Sequence, residues 1–179
     1  MAKFGVLLRG INVGGSNKVS MADLRTLLDG LGFTNVKTLL QSGNAVFDAP
    51  KGTPAQLATQ IEQALEDRYG RVIGCVVVTR ADLDRIVAAN PLAGIADKPS
   101  YQLVTFLNGE PDAKLFTADD TTAYAPEVVL AGDREIHSWH PNGQANTKLT
   151  PGWWKKRLPG LVATARNWNT VLKLRDLLD

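Results

Sequence analysis

Residues 35–48, NVKTLLQSGNAVFD, decide how the chain is read. NVKTLL and NAVFD are β-prone runs separated by Gln41, Ser42 and Gly43, a short link of turn formers, so the stretch predicts a hairpin. On its N-terminal side Met21, Leu24, Leu27, Leu28 and Leu31 recur at helical spacing. Ser20 and Asp23 resemble a capping box ahead of them, and Gly32 is a stop signal behind. On its C-terminal side Thr53, Pro54 and Gln56 carry the signature of a helix start, and Leu57, Ile61, Ala64 and Leu65 form one face of that helix. Outside both helices FGVLL (residues 4–8) and VIGCVVVT (residues 72–79) are apolar runs suited to buried strands.

The resulting order, β-α-β-β-α-β over residues 4–79, is that of a ferredoxin-like split βαβ unit, in an α+β class. A right-handed crossover makes the first two strands parallel, with the third antiparallel between them. The loop from Arg9 to Lys18 then meets the turn from Gln41 to Asn44 at one edge of the sheet. A third helix is expected over residues 81–90, capped by Thr79 and Asp82 and ended by Pro91. After a connector at residues 91–100, YQLVTFL, a helix after Pro111, EVVLA and REIHSW joined through Gly132 and Asp133, and a helix opening at Thr150 and Pro151 repeat the order β-α-β-β-α. The expected organisation is a pseudo-duplication: a first lobe at residues 1–90 and a second α+β lobe, with C-terminal helices, at 101–179.

Composition bounds the function classes. A chain of 179 residues can bury about 70% of its unfolded surface and needs no staple. Its formal charge of +2 gives only weak electrostatic attraction, so nucleic-acid binding is neither demanded nor excluded. The single Cys75 lies in an apolar run and reads as a small core hydrophobe in a reducing compartment. The N-terminal apolar run stops at Arg9, too short for a signal-peptide core, and no later run approaches a membrane span. A cytoplasmic protein with no membrane partner is expected.

The loop after the first strand, LLRGINVGGSNKVS (residues 7–20), fails two phosphate signatures. Gly10 and Gly15 have P-loop spacing, but Ser16 stands where lysine must, and the glycine intervals miss the dinucleotide fingerprint. What survives is a glycine-permissive backbone leading to a helix start, with Arg9 and Lys18 for charge. An anion cradle and a plain turn both fit it. RNWNT (residues 166–170) is dense in hydrogen-bonding side chains. Structurally, Asn167 or Asn169 caps the last helix, Trp168 plugs the core and Arg166 satisfies carbonyls; functionally, Arg166 is a planar fork for phosphate or carboxylate. WWKKR (residues 153–157) reads as a helix with one buried tryptophan and a basic face, or as part of a nucleic-acid surface. His137 and His140 lack partners at ligand spacing, so no metal and no cofactor are expected, and no serine sits in a nucleophile-elbow motif.

LLRGINVGG, LLQSGNAVF and ATARNWNTVLKL, in this order and spacing, resemble a bacterial domain-of-unknown-function family, number 1697 in that series, across essentially the whole chain. The resemblance implies a ferredoxin-like α+β build and a cytoplasmic bacterial origin, and it brings no activity with it. The expected role is binding of a small polar or phosphate-bearing ligand through Arg9, Asn12, Gly14, Gly15, Lys18, Ser42 and Asn44, with Arg166, Asn167 and Asn169 as further candidates. Its rivals are a nucleic-acid-binding module, for which FGVLL and NAVFD supply few sheet-face aromatics, and an enzyme whose reaction no residue set identifies.

Overall fold

The computed structural model describes residues 1–117 and 123–179. The chain divides into two compact units, one made of Met1–Ile86 with Lys173–Asp179 and the other of Val87–Leu172.

In the first unit the elements run β1 (Ala2–Leu8), α1 (Met21–Gly30), β2 (Thr34–Leu39), β3 (Asn44–Ala49), α2 (Pro54–Tyr69), β4 (Cys75–Val78) and the start of α3 (Arg80–Ala89). The strands form one sheet in the order β2-β3-β1-β4, each neighbour antiparallel. This is the split βαβ order the hairpin predicts. The helix starts follow their capping signals. Ser20 Oγ accepts from the Asp23 N–H, and Thr53 with Gln56 forms a full reciprocal capping box. Thr79 and Asp82 bond to each other at the start of α3.

Alternation along the strands sends Phe4, Val6, Leu8, Ala45, Phe47, Ala49, Cys75 and Val77 to one face, where α1 contributes Met21, Leu24 and Leu28 and α2 contributes Leu57, Ile61 and Leu65. Phe47 stacks on Phe33, with ring centres 4.5 Å apart. Cys75 is fully buried there, and burial, helped by Glu62, pushes its thiol far above the usual range, so it stays an inert hydrophobe. On the other face Gly5 leaves room for Leu174 of the chain's last helix and Leu178 just beyond it, both of which belong to this unit.

The second unit carries β5 (Gln102–Leu107), β6 (Val128–Ala131), β7 (Glu135–Trp139), α4 (Pro151–Arg157), β8 (Ala163–Asn167) and the start of α5 (Trp168–Leu177). Its sheet order is β6-β7-β5-β8, again antiparallel throughout. The position-by-position equivalence with β2-β3-β1-β4 completes the pattern repeat. Strand β8 was not expected from the sequence, because ATARN has neither apolar alternation nor β-branched density. It pairs with β5 all the same, Arg166 opposite Val104 and Thr164 opposite Phe106. In place of the helix expected after Pro111, the described residues hold a 3-10 turn at Ala113–Phe116; the rest of that expectation falls on residues 118–122, outside the described ones. The unit's core gathers Leu107, Phe116, Val129, Ile136, Leu149, Trp153 and Leu158.

Candidate ligand-binding loops at one sheet edge

The sheet order puts four chain segments at one end of the first sheet: the exits of β1 and β2 and the entries of β3 and β4. Leu7 pairs with Asn44 and Leu8 with Cys75, and beyond the ladder the Leu8 N–H donates to Gly43 O at 2.8 Å and the Arg9 N–H to Gly74 O at 2.9 Å. Arg9 and the hairpin turn are thus backbone neighbours, as the topology requires.

Asn12 organises the loop that follows. Its Nδ2 donates to Val19 O at 2.9 Å and to Gln41 O at 2.7 Å, and its Oδ1 accepts from the Val19 N–H at 2.9 Å. One side chain therefore closes the base of the loop and clamps it to the hairpin. Asn12 holds φ +55°, a left-handed value that asparagine tolerates better than most residues. Asn17 Nδ2 donates to Gly10 O at 3.1 Å, and Asn17 O accepts from the Asn12 N–H at 3.1 Å, so the loop is cross-braced. At its tip Gly14 and Gly15 both have positive φ, and neither N–H donates to a partner among the described residues. Arg9 and Lys18 are exposed at its two ends.

Gly43 is required on two counts. Its φ is +84°, and a Cβ there would lie 2.7 Å from Ile11 Cδ1 and 2.8 Å from Leu8 Cβ. Asn44 is fully buried, donating from Nδ2 to Leu39 O and to Ser42 Oγ, each at 2.9 Å. Five of the seven expected residues of this edge, Arg9, Asn12, Gly14, Gly15 and Lys18, thus belong to one braced loop; Ser42 and Asn44 form the turn it is clamped to.

Arg166, Asn167 and Asn169 lie in the second unit. Arg166 is buried on β8, its guanidinium donating to Thr164 Oγ1 at 2.6 Å and Ala165 O at 2.7 Å. Burial lowers its pKa to about 10, which leaves it charged at neutral pH. Asn167 Oδ1 accepts from the Thr170 N–H at 3.0 Å and from Thr170 Oγ1 at 3.1 Å, so it is Asn167 that caps α5, while Asn169 is exposed. Trp168 is buried. In WWKKR, Trp153 is buried and Arg157 lies over its ring at 4.1 Å while donating to Leu115 O at 3.1 Å; Lys155 and Lys156 face solvent.

A buried polar network in the second unit escaped the sequence. Glu127 accepts from Thr147 Oγ1 and from the Lys148 N–H, both at 2.6 Å, and pairs with His140 Nδ1 at 2.6 Å; His140 Nε2 meets Ser138 Oγ at 2.9 Å. Burial works to raise the Glu127 carboxyl pKa, but the hydrogen bonds from Thr147, Lys148 and His140 prevail and hold it below its ordinary value. The connectivity is that of a nucleophile, base and acid, yet Ser138 has no exposed surface for a substrate to meet. The network ties the entry of β6, the exit of β7 and the segment before α4 together. Its only sequence trace is the alternation of Ser138 and His140, which is uninformative without Glu127.

No curated protein matches the chain. Among solved structures, one described as that of the conserved bacterial protein SP0830 from Streptococcus pneumoniae is similar, with a TM-score of 0.72 and 24% identity over 99% of this chain and 98% of that one. A likeness at that identity speaks for the fold. The braced glycine loop, the hairpin and both sheets through most of β7 fall within residues 1–137, which match the family model described as "Protein of unknown function (DUF1697)", and the chain belongs to that family.

Proposed function

We propose that the chain binds a small polar ligand bearing a phosphate or similar anion at the loop edge of the first unit. The observation that carries this reading is the tip of the loop from Arg9 to Lys18. Two N–H groups, those of Gly14 and Gly15, have no acceptor among the described residues; they lie in sequence between two exposed cations, on a backbone that Asn12 and Asn17 brace. Bracing matters because a loop that is already ordered loses less freedom when a ligand arrives. Gly14 and Gly15 are the two central residues of a turn closed by the Ser16 N–H on Val13 O at 3.0 Å, so their own N–H groups are left to donate outward, and the cations at the loop's ends add attraction for an anion.

The test is a thermal-shift screen over inorganic phosphate, nucleotides, sugar phosphates and short oligonucleotides, because a ligand of the folded state raises apparent stability by mass action. A phosphate-bearing compound that raises the melting temperature of the native chain but not of Arg9→Ala supports the reading. Flat melting curves across the screen overturn it.

A further inference from the structure

The two sheets correspond residue by residue, and the correspondence isolates a buried cluster in the second unit. The Leu107 N–H donates to Arg134 O at 3.0 Å and the Asn108 N–H to Val162 O at 3.2 Å, repeating the bonds of Leu8 to Gly43 and of Arg9 to Gly74. Along the ladders from these bonds, Glu135 stands where the first sheet has Asn44, His137 where it has Val46, Thr164 where it has Val76 and Arg166 where it has Val78. By alternation all four lie on the face turned away from the cluster of Leu107, Val129 and Ile136, and none is more than 8% exposed. The first unit fills the same places with three valines and an asparagine. The topology therefore does not require a carboxylate, an imidazole and a guanidinium there, and burying them has a cost that valine would avoid.

His137 is the least satisfied of the four. Its Nε2 lies 3.5 Å from Glu135 Oε1, and a carboxylate beside that nitrogen favours the ring proton there. Nδ1 is then an acceptor, and it has no hydrogen-bond partner among the described residues although His137 is only 1% exposed. Arg166 is held by Thr164 Oγ1 and Ala165 O. Its positive charge and the negative charge of Glu135 balance on this face, so an anion would meet a lone pair and a carboxylate with the one cation already offset. A neutral hydroxyl donor suits the lone pair. Phe106 and Trp139, buried on the same face, add apolar surface for the C–H groups of a small ring or chain.

We propose that this face of the second unit binds a small neutral polyol or sugar, one of whose hydroxyls donates to His137 Nδ1. The site differs from the loop edge of the first unit in place and in chemistry, and neither reading depends on the other. Because the cluster is buried, a ligand enters only when the face opens locally, which makes binding slow and restricts it to small compounds.

The test follows the imidazole nitrogens of His137 by NMR in the isotopically labelled full chain, with the signals assigned through His137→Val, while glycerol, erythritol or glucose is titrated with time allowed for equilibrium. Dimethoxyethane, which accepts hydrogen bonds but donates none, is the control. A saturable shift of the Nδ1 signal toward that of a hydrogen-bonded nitrogen is expected with at least one of the three polyols, and none with the ether. His137→Val copies the residue at the equivalent place in the first sheet. It should melt no lower than the native chain and weaken binding of that polyol, read by saturation transfer to its C–H protons, about tenfold. An absent or unsaturable response to all three polyols overturns the proposal and leaves ordered water as the partner of His137; an equal response to the ether overturns it as a solvent effect. Undiminished polyol binding by His137→Val overturns it as well, and so does a melting temperature of that variant far below the native one, which would make the imidazole a requirement of the fold.

Discussion

Strands β3 and β7 hold the same place in their sheets, each between an edge strand and the first strand of its unit, yet they are built from opposite chemistry. Strand β3 reads NAVFDA and, after the buried Asn44 at its start, buries Ala45, Val46, Phe47 and Ala49. Strand β7 reads EIHSW and buries Glu135, His137 and Ser138 beside Ile136 and Trp139. One topology therefore tolerates an apolar and a polar central strand, even with His137 Nδ1 on the polar one buried and without a hydrogen-bond partner among the described residues. Apart from Asn44 at the hairpin turn, the first unit keeps its polar work in exposed loops, and the second draws it inside, around Glu127 and His140. The difference predicts cavity sensitivity in one unit and acid sensitivity in the other.

The largest effect tests the apolar strand. Phe47 is almost fully buried and stacked on Phe33, so Phe47→Ala should cost about 3 to 5 kcal/mol in denaturant unfolding. A cost below about 1 kcal/mol would mean that the site collapses freely and that β3 is not the pivot of its core. Next is the clamp between loop and hairpin. Asn12→Ala removes three hydrogen bonds and leaves alanine at φ +55°, for an expected loss of about 2 to 4 kcal/mol together with any phosphate-induced shift.

Acid titration addresses the polar strand. The folded-state pKa of Glu127 lies below the ordinary 4.5, so the unfolded chain takes up its proton first as pH falls. Its contribution is complete above the unfolded value and is lost as pH drops from about 5 through the folded value. Glu127→Gln should cost about 1 to 3 kcal/mol at neutral pH, because an amide nitrogen then faces groups that donate, and it should flatten the acid limb of the stability profile. An unchanged acid limb in Glu127→Gln would assign the acid sensitivity elsewhere.

What the sequence disclosed follows the reach of each interaction. Caps at Ser20, Thr53, Thr79 and Thr150 are local, and each was readable because donor and acceptor lie three residues apart. The meeting of Arg9 with the hairpin was readable from topology alone. Strand β8 was not, since its pairing with β5 supplies what ATARN lacks in pattern. VIGCVVVT looked uniformly buried, but the strand starts only at Cys75, and Val72 stands in solvent. The clamp of Asn12 on Gln41 spans 29 residues and the bond from Lys148 to Glu127 spans 21, distances over which composition carries no signal.

The smallest expected effect is the sharpest test of the division between the units. Arg9 comes directly after Leu8, which is fully buried, and its own side chain is exposed while its N–H is held by Gly74. Arg9→Ala keeps that backbone bond, which does not depend on the side chain, and removes only a solvated charge. Its stability cost should stay within about 0.5 kcal/mol. Arg166 is the contrasting cation: it is buried on β8, where its guanidinium donates to Thr164 and Ala165, so truncation strands those acceptors and costs several-fold more. If binding of a phosphate-bearing ligand disappears in Arg9→Ala while its melting temperature holds, the exposed arginine acts on the ligand and not on the fold. If Arg9→Ala instead destabilises the chain as Arg166→Ala does, the loop's charge is part of the scaffold, and the contrast between a functional edge in one unit and a structural cation in the other fails.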